Sequence, residues 1–74
     1  MENKLQISLA AARVNADLTQ EEVSKLLHIN KATIVAWEKG DSEPKVSQAL
    51  FLSKLYKIPL DNIFLPANLA NSEN

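Results

Sequence analysis

The sequence predicts one all-α domain, a compact five-helix bundle, and three observations carry that prediction. Side chains that cap helices stand just ahead of apolar residues at helical spacing, at Ser8, Thr19 and Asn30. The single glycine, Gly40, and the prolines Pro44 and Pro59 fall where helices should end or begin. Nothing along the chain reads as a hairpin turn between two alternating strands.

Ser8 caps a first helix that runs to about Asn15, with Leu9, Ala12 and Val14 on its inner side and Arg13 near its end. Thr19-Gln20-Glu21-Glu22 is a capping box, in which the Thr19 hydroxyl accepts from the Glu22 amide and the Glu22 carboxylate reaches back to the Thr19 amide. Leu18 and Val23 occupy the hydrophobic-staple positions around it, and Val23 with Leu27 forms the face to be buried. The second helix therefore spans Gln20 to about Leu27. Asn30 starts a third helix in the same way, with Ile29 and Ile34 as its staple, and Gly40 closes it in a left-handed cap, giving Lys31 to Lys39. Ile34 and Trp37 face inward, which turns Lys31, Ala32, Val35, Ala36 and Lys39 outward.

After the loop from Gly40 to Pro44, apolar residues at Val46, Ala49, Leu52, Leu55 and Tyr56 keep helical spacing to about Lys57, the fourth helix. Val46, Leu52 and Tyr56 read as core; Phe51 falls off their stripe. Pro59 suits a helix start, so Leu60 to Phe64 reads as a short fifth helix. The chain thus divides into an N-terminal arm (1–8), a helical domain (9–65) and a polar, frayed tail (66–74). In the arm, the alternation of Leu5 and Ile7 fits either an extended strand that pairs with another subunit or a frayed end.

Composition limits what such a bundle can do. With 74 residues, 46% hydrophobic and 23% charged, the chain has room for one core and no second, effector-sensing domain. A domain of this size buries only about 60% of the surface its unfolded chain exposes, so its stability is marginal. There is no cysteine and no paired metal-ligand set, which makes a second subunit the expected supplement. The lack of cysteine fits a reducing cytoplasm. The longest apolar runs, Leu9 to Ala12 and Ala49 to Leu52, are four residues, against the roughly 20 needed to cross a bilayer, so no membrane association is expected. The opening MENKLQIS lacks the apolar stretch of a secretion signal, and no solenoid repeat is present.

The second and third helices, joined by the tight Leu27-His28-Ile29-Asn30 connection, form a helix-turn-helix across Gln20 to Lys39. That geometry lets the first of the two lie across a DNA backbone, its N-terminal amides toward a phosphate, while the second presents its N-terminal half to base edges in the major groove. The same spacing also fits an ordinary helical hairpin in a small bundle.

The segment RVNADLTQEEVSKLLHINKATIVAWEKG, followed by EPKVSQALFLSKLYKIPLDNIF, resembles the Cro and phage-repressor helix-turn-helix family, also called XRE-like. The resemblance covers about Leu9 to Phe64, with LTQEEV, the W-E-x-G helix end and the closing IPLDNIF in the family's order. It implies a lambda-repressor-like DNA-binding domain that binds double-stranded DNA sequence-specifically. It further implies that Lys31, Ala32, Val35 and Ala36 read bases and that Gln20, Thr33, Lys39 and Lys45 touch phosphates. Arg13 and Glu38 match a partly buried pair that joins the first helix to the third. The chemistry suits these roles: lysine donates to guanine O6 or N7, while alanine and valine offer only apolar contact to a thymine methyl, so base readout is thin and DNA shape carries a larger share. Trp37, which shares a face with Ile34, reads as core and not as a stacking platform.

Some positions depart from the family pattern. His28 stands where glycine is usual, in a turn that needs positive φ, at a cost of about 1 kcal/mol. Ser24 replaces a small alanine and keeps the close helix contact. Asp41 and Glu43 in the loop, the net charge of -1 and the pI near 5.7 weaken attraction to DNA, leaving a local basic patch around Lys31, Lys39 and Lys45.

The reading that unites these features is a homodimeric transcriptional regulator, a repressor of phage or mobile-element type that occludes a promoter by binding an inverted repeat. Two half-sites roughly square the discrimination of one. The resemblance places the dimer surface at Ile58 to Phe64 and the tail; exposed Leu26 or Phe51 are the alternatives. A second reading is an antitoxin-like module that uses the same fold on a protein partner, favoured by the acidic balance. An enzyme is not expected, because no phosphate loop, metal-ligand spacing or cysteine nucleophile is present and His28 lacks an orienting partner; no cofactor is expected either.

Overall fold

The computed structural model describes residues 6–64. Within them a strand β1 (Ile7–Ser8) leads into four helices, α1 (Leu9–Asn15), α2 (Gln20–Leu27), α3 (Lys31–Lys39) and α4 (Val46–Tyr56). A single 3-10 turn (Leu60–Asn62) and a strand β2 (Ile63–Phe64) follow. The tail over 66–74 and Leu5 of the arm lie outside the described residues.

The core forms where the helices turn their apolar faces together. Val23 of α2, Ile34 of α3 and Leu52 of α4 are its largest fully buried side chains, joined by Leu9, Ala12, Trp37, Tyr56 and Ile63. Burying each large aliphatic stabilises the fold by about 1.5–3 kcal/mol. Ala12 is wholly inaccessible; a side chain of one carbon lets α1 approach its neighbours closely. Ser24 is buried in α2, where its hydroxyl donates to the Glu21 carbonyl at 2.7 Å, so the polar atom needs no water.

All four helices end in the same pair of backbone bonds. The amides of Leu18, Ile29, Asp41 and Ile58 each reach a carbonyl five residues back, and those of Asp17, His28, Gly40 and Lys57 a carbonyl three back. This is the Schellman arrangement, which requires a left-handed residue at the turn. Asp17, His28 and Lys57 supply it with φ of 60°, 58° and 59°, and the single glycine, Gly40, with φ of 87°. Leu18, Ile29 and Ile58, just past three of these ends, pack against the core.

The described residues hold four α-helices where the sequence predicts five. The segment after Pro59 makes one 3-10 turn, closed by the Asn62 amide on the Pro59 carbonyl at 2.8 Å. It stops there because Ile63 and Phe64 are drawn into a ladder: they pair in parallel with Ile7 and Ser8 of the same chain. The extended arm is therefore tied, through Ile7, within its own subunit. Val14 and Val46, expected on inner faces, are exposed: Val14 lies two residues past Ala12, on the other side of α1, and Val46 opens α4 one turn before its first buried residue, Ala49. Asn30 takes N-cap backbone angles but makes no side-chain cap bond, unlike Thr19, whose box with Glu22 is complete at 2.8 and 3.0 Å.

Candidate nucleic-acid interface

The helix-turn-helix is built by α2, the His28 turn and α3. His28, at φ 58° and ψ 44°, reverses the chain in three residues, and Val23, Ile34 and Trp37 lock the two helices to the core. With Ile34 and Trp37 committed inward, Lys31 and Ala32 are exposed on the opposite side of α3; Val35 and Ala36, one turn later, are half-buried. Lys39 is exposed in the last turn of α3, where a cation favours the helix dipole. Thr33 is half-buried. Lys45 is exposed at the N-cap of α4, its amide donating to Gln48 Oε1 at 2.8 Å.

One cluster joins three helices behind this surface. Arg13 Nε donates to Glu38 Oε2 at 2.8 Å and Arg13 Nη2 to Glu38 Oε1 at 3.3 Å, while Arg13 Nη1 donates to the Leu18 carbonyl at 2.9 Å. The two side chains are only 14% and 8% exposed, and the pairing raises the Arg13 pKa, led by its hydrogen bond to Glu38. The Arg13–Glu38 bridge expected between the first and third helices is therefore present. Sequence reasoning missed its third member: Gln20 Nε2 donates to Glu38 Oε1 at 2.9 Å. Residue type alone does not reveal that contact, since an exposed first-turn glutamine has the same sequence signature.

The contact matters for what α2 offers. Glu38 accepts one amide proton of Gln20, which holds the side chain against α3 and leaves its second N–H and its carbonyl oxygen unassigned. The capping box consumes the amides of Thr19 and Glu22, so the free donors of the first turn are the backbone amides of Gln20 and Glu21. An open concavity of about 400 Å³ lies at this end, lined by Arg13, Thr19, Gln20, Glu21 and Lys31. The structure thus brings Gln20 and Lys31 to one surface at the start of α2, a helix end whose first-turn amides favour an anion. Glu21 on its rim is partly offset by Lys25, whose Nζ is 3.9 Å from Glu21 Oε2.

Comparison with known proteins agrees with this geometry. A helix-turn-helix family model matches residues 9–63. The chain is 34% identical, over 65 residues, to an uncharacterised HTH-type transcriptional regulator of Methanocaldococcus jannaschii, covering 88% of this chain and 92% of that one. It is 42% identical over 48 residues to the cryptic phage CTXphi transcriptional repressor RstR of Vibrio cholerae, covering 65% of this chain and 43% of the repressor. It is 28% identical over 69 residues to the HTH-type transcriptional activator BcrR of Enterococcus faecalis, covering 89% of this chain and 34% of the activator. The last two are longer proteins, of which this chain spans less than half. No solved structure matches. None of the helices among the described residues is long and apolar enough to cross a membrane. The match to most of the chain, together with the capped α2, the tight turn and the outward face of α3, shows that the chain belongs to the XRE-type helix-turn-helix family of DNA-binding transcriptional regulators.

Proposed function

We propose that the protein is a homodimeric, non-enzymatic repressor that reads an inverted repeat in double-stranded DNA. The observation that carries this reading is the single concavity that Gln20 and Lys31 line at the start of α2, beside the outward face of α3. In this account α3 enters the major groove. Lys31 donates to a guanine edge, while Ala32, Val35 and Ala36 meet thymine methyls. Gln20, Thr33, Lys39 and Lys45 hold the backbone and set the register. The identity to a phage repressor supports repression and a mobile-element origin. The role is intracellular, where the DNA is.

The test is fluorescence anisotropy on a random duplex pool at several salt concentrations, with sequencing of the bound fraction. If each subunit neutralises about three phosphates, a dimer shows a log-log salt slope of about -5. Recovery of a palindromic site, with its preference lost in Lys31→Ala, supports the reading. Flat binding without enrichment at moderate salt overturns it in favour of an antitoxin-like action on a protein partner.

A further inference from the structure

The fourth helix is apolar around most of its circumference. Its inner face buries Ala49, Leu52 and Tyr56, yet its outer face carries Val46, Leu50 and Phe51 at 75%, 45% and 44% exposure. A helix that is hydrophobic all round belongs in contact on all sides. The exposed patch runs on into α2, where Leu26 and Leu27 form a groove of about 260 Å³ with Ser47, Gln48 and Phe51. Leu26 is itself nearly half exposed. Contiguous apolar surface of this kind marks an interaction site, and a chain of 74 residues has little core to spare for leaving it wet.

We propose that this face is where two copies of the chain associate, their α4 helices antiparallel across a two-fold axis that passes between Leu50 and Phe51. The assignment rests on the dimeric reading above and gives it a surface distinct from the Ile58 to Phe64 segment. Ser47 stands three residues before Leu50 and four before Phe51, and Lys54 four after Leu50 and three after Phe51, the spacing of a packing seam. Turned on itself, the seam sets Leu50 against Phe51 of the second copy, at the edge of the Leu26 groove. It also sets Ser47 against Lys54, a small residue beneath a long aliphatic stem.

Charge selects the antiparallel sense and the second copy as occupant. The C-terminal end of α4 carries two cations, Lys54 and Lys57, whereas the N-terminal end is net acidic, with Asp41 and Glu43 in the loop before it and a single cation, Lys45, at the N-cap. An antiparallel pair brings each acidic loop to the other copy's lysines and opposes the two helix dipoles favourably; a parallel pair stacks like on like. A self-complementary surface of this kind is what a two-fold dimer requires.

The test uses the full chain without DNA, in sedimentation equilibrium over a range of concentrations. Wild type is a dimer, and Leu50→Glu raises its dissociation constant at least 100-fold with an unchanged circular dichroism spectrum, since the position is exposed. Lys57→Glu weakens the dimer about tenfold, and adding Asp41→Lys restores it. Because the chain has no cysteine, Leu50→Cys gives a disulfide-linked dimer under mild oxidation and Val14→Cys does not. A monomer at every concentration, or a dimer indifferent to Leu50→Glu and to the charge exchange, overturns the proposal. Dimerisation through α4 without DNA binding leaves it standing and sinks the repressor reading; palindrome binding undiminished in Leu50→Glu does the reverse.

Discussion

Asp17, His28 and Lys57 hold left-handed backbone at three of the four helix ends, where glycine would carry no steric penalty from Cβ. His28→Gly and Lys57→Gly should each raise stability in urea titrations by about 0.5–1 kcal/mol, the relief of strain exceeding the extra freedom of the unfolded chain. Asp17→Gly should gain less, because aspartate tolerates this conformation better. Tyr56 makes a second prediction. Burial raises its pKa from 10.0 to about 12, with the Glu38 charge adding to the rise and the Arg13 charge opposing it. The unfolded chain then loses the phenolic proton first, so this contribution to stability is complete below pH 10 and is lost as pH rises through about 12. Chemical denaturation between these limits should show a loss in wild type that is reduced in Tyr56→Phe.

The helices differ in how their starts are secured. Ser8 accepts from the Ala11 amide at 3.0 Å, and Thr19 and Glu22 exchange bonds at the start of α2. At α3 the backbone of Asn30 is extended as a cap should be, yet no side-chain bond forms. Thr19→Ala should therefore destabilise by about 1 kcal/mol, whereas Asn30→Ala should cost only a few tenths, compared by thermal and urea unfolding. The capping box was legible because its two partners lie three residues apart on one turn. The fate of Asn30 was not, because the choice of side-chain rotamer depends on surroundings that adjacent residues do not specify. The same contrast separates α4 from the segment after it: a long apolar period announced the helix, while the 3-10 turn and β2 answer to a strand at the other end of the described chain.

The Arg13, Glu38 and Gln20 cluster links α1, α2 and α3 into one body, and its energetics are global. Glu38→Ala leaves Arg13 charged and largely buried, at a cost of about 3 kcal/mol, a large share of the stability of a small domain. Replacing both partners, Arg13→Met with Glu38→Leu, should recover most of that loss by urea titration, because no unpaired charge remains. The double variant also releases Gln20, so its DNA affinity should fall while its stability holds, and anisotropy on a selected site measures the difference.

From the sequence alone came the all-α class, the bounds of α2 and α3, the inward commitment of Ile34 and Trp37, and the Arg13–Glu38 partnership that family resemblance implied. Each depends on spacing within a turn or two, or on a motif short enough to keep its order. The tertiary structure decided the rest. It exposed Val14 and Val46 because a helix face is buried only where another element meets it. It ended the chain's described portion in a strand paired with Ile7 and Ser8, and it drew Gln20 onto Glu38 from another helix. Local periodicity carries no record of such contacts: they form between residues that only packing of the whole chain brings together.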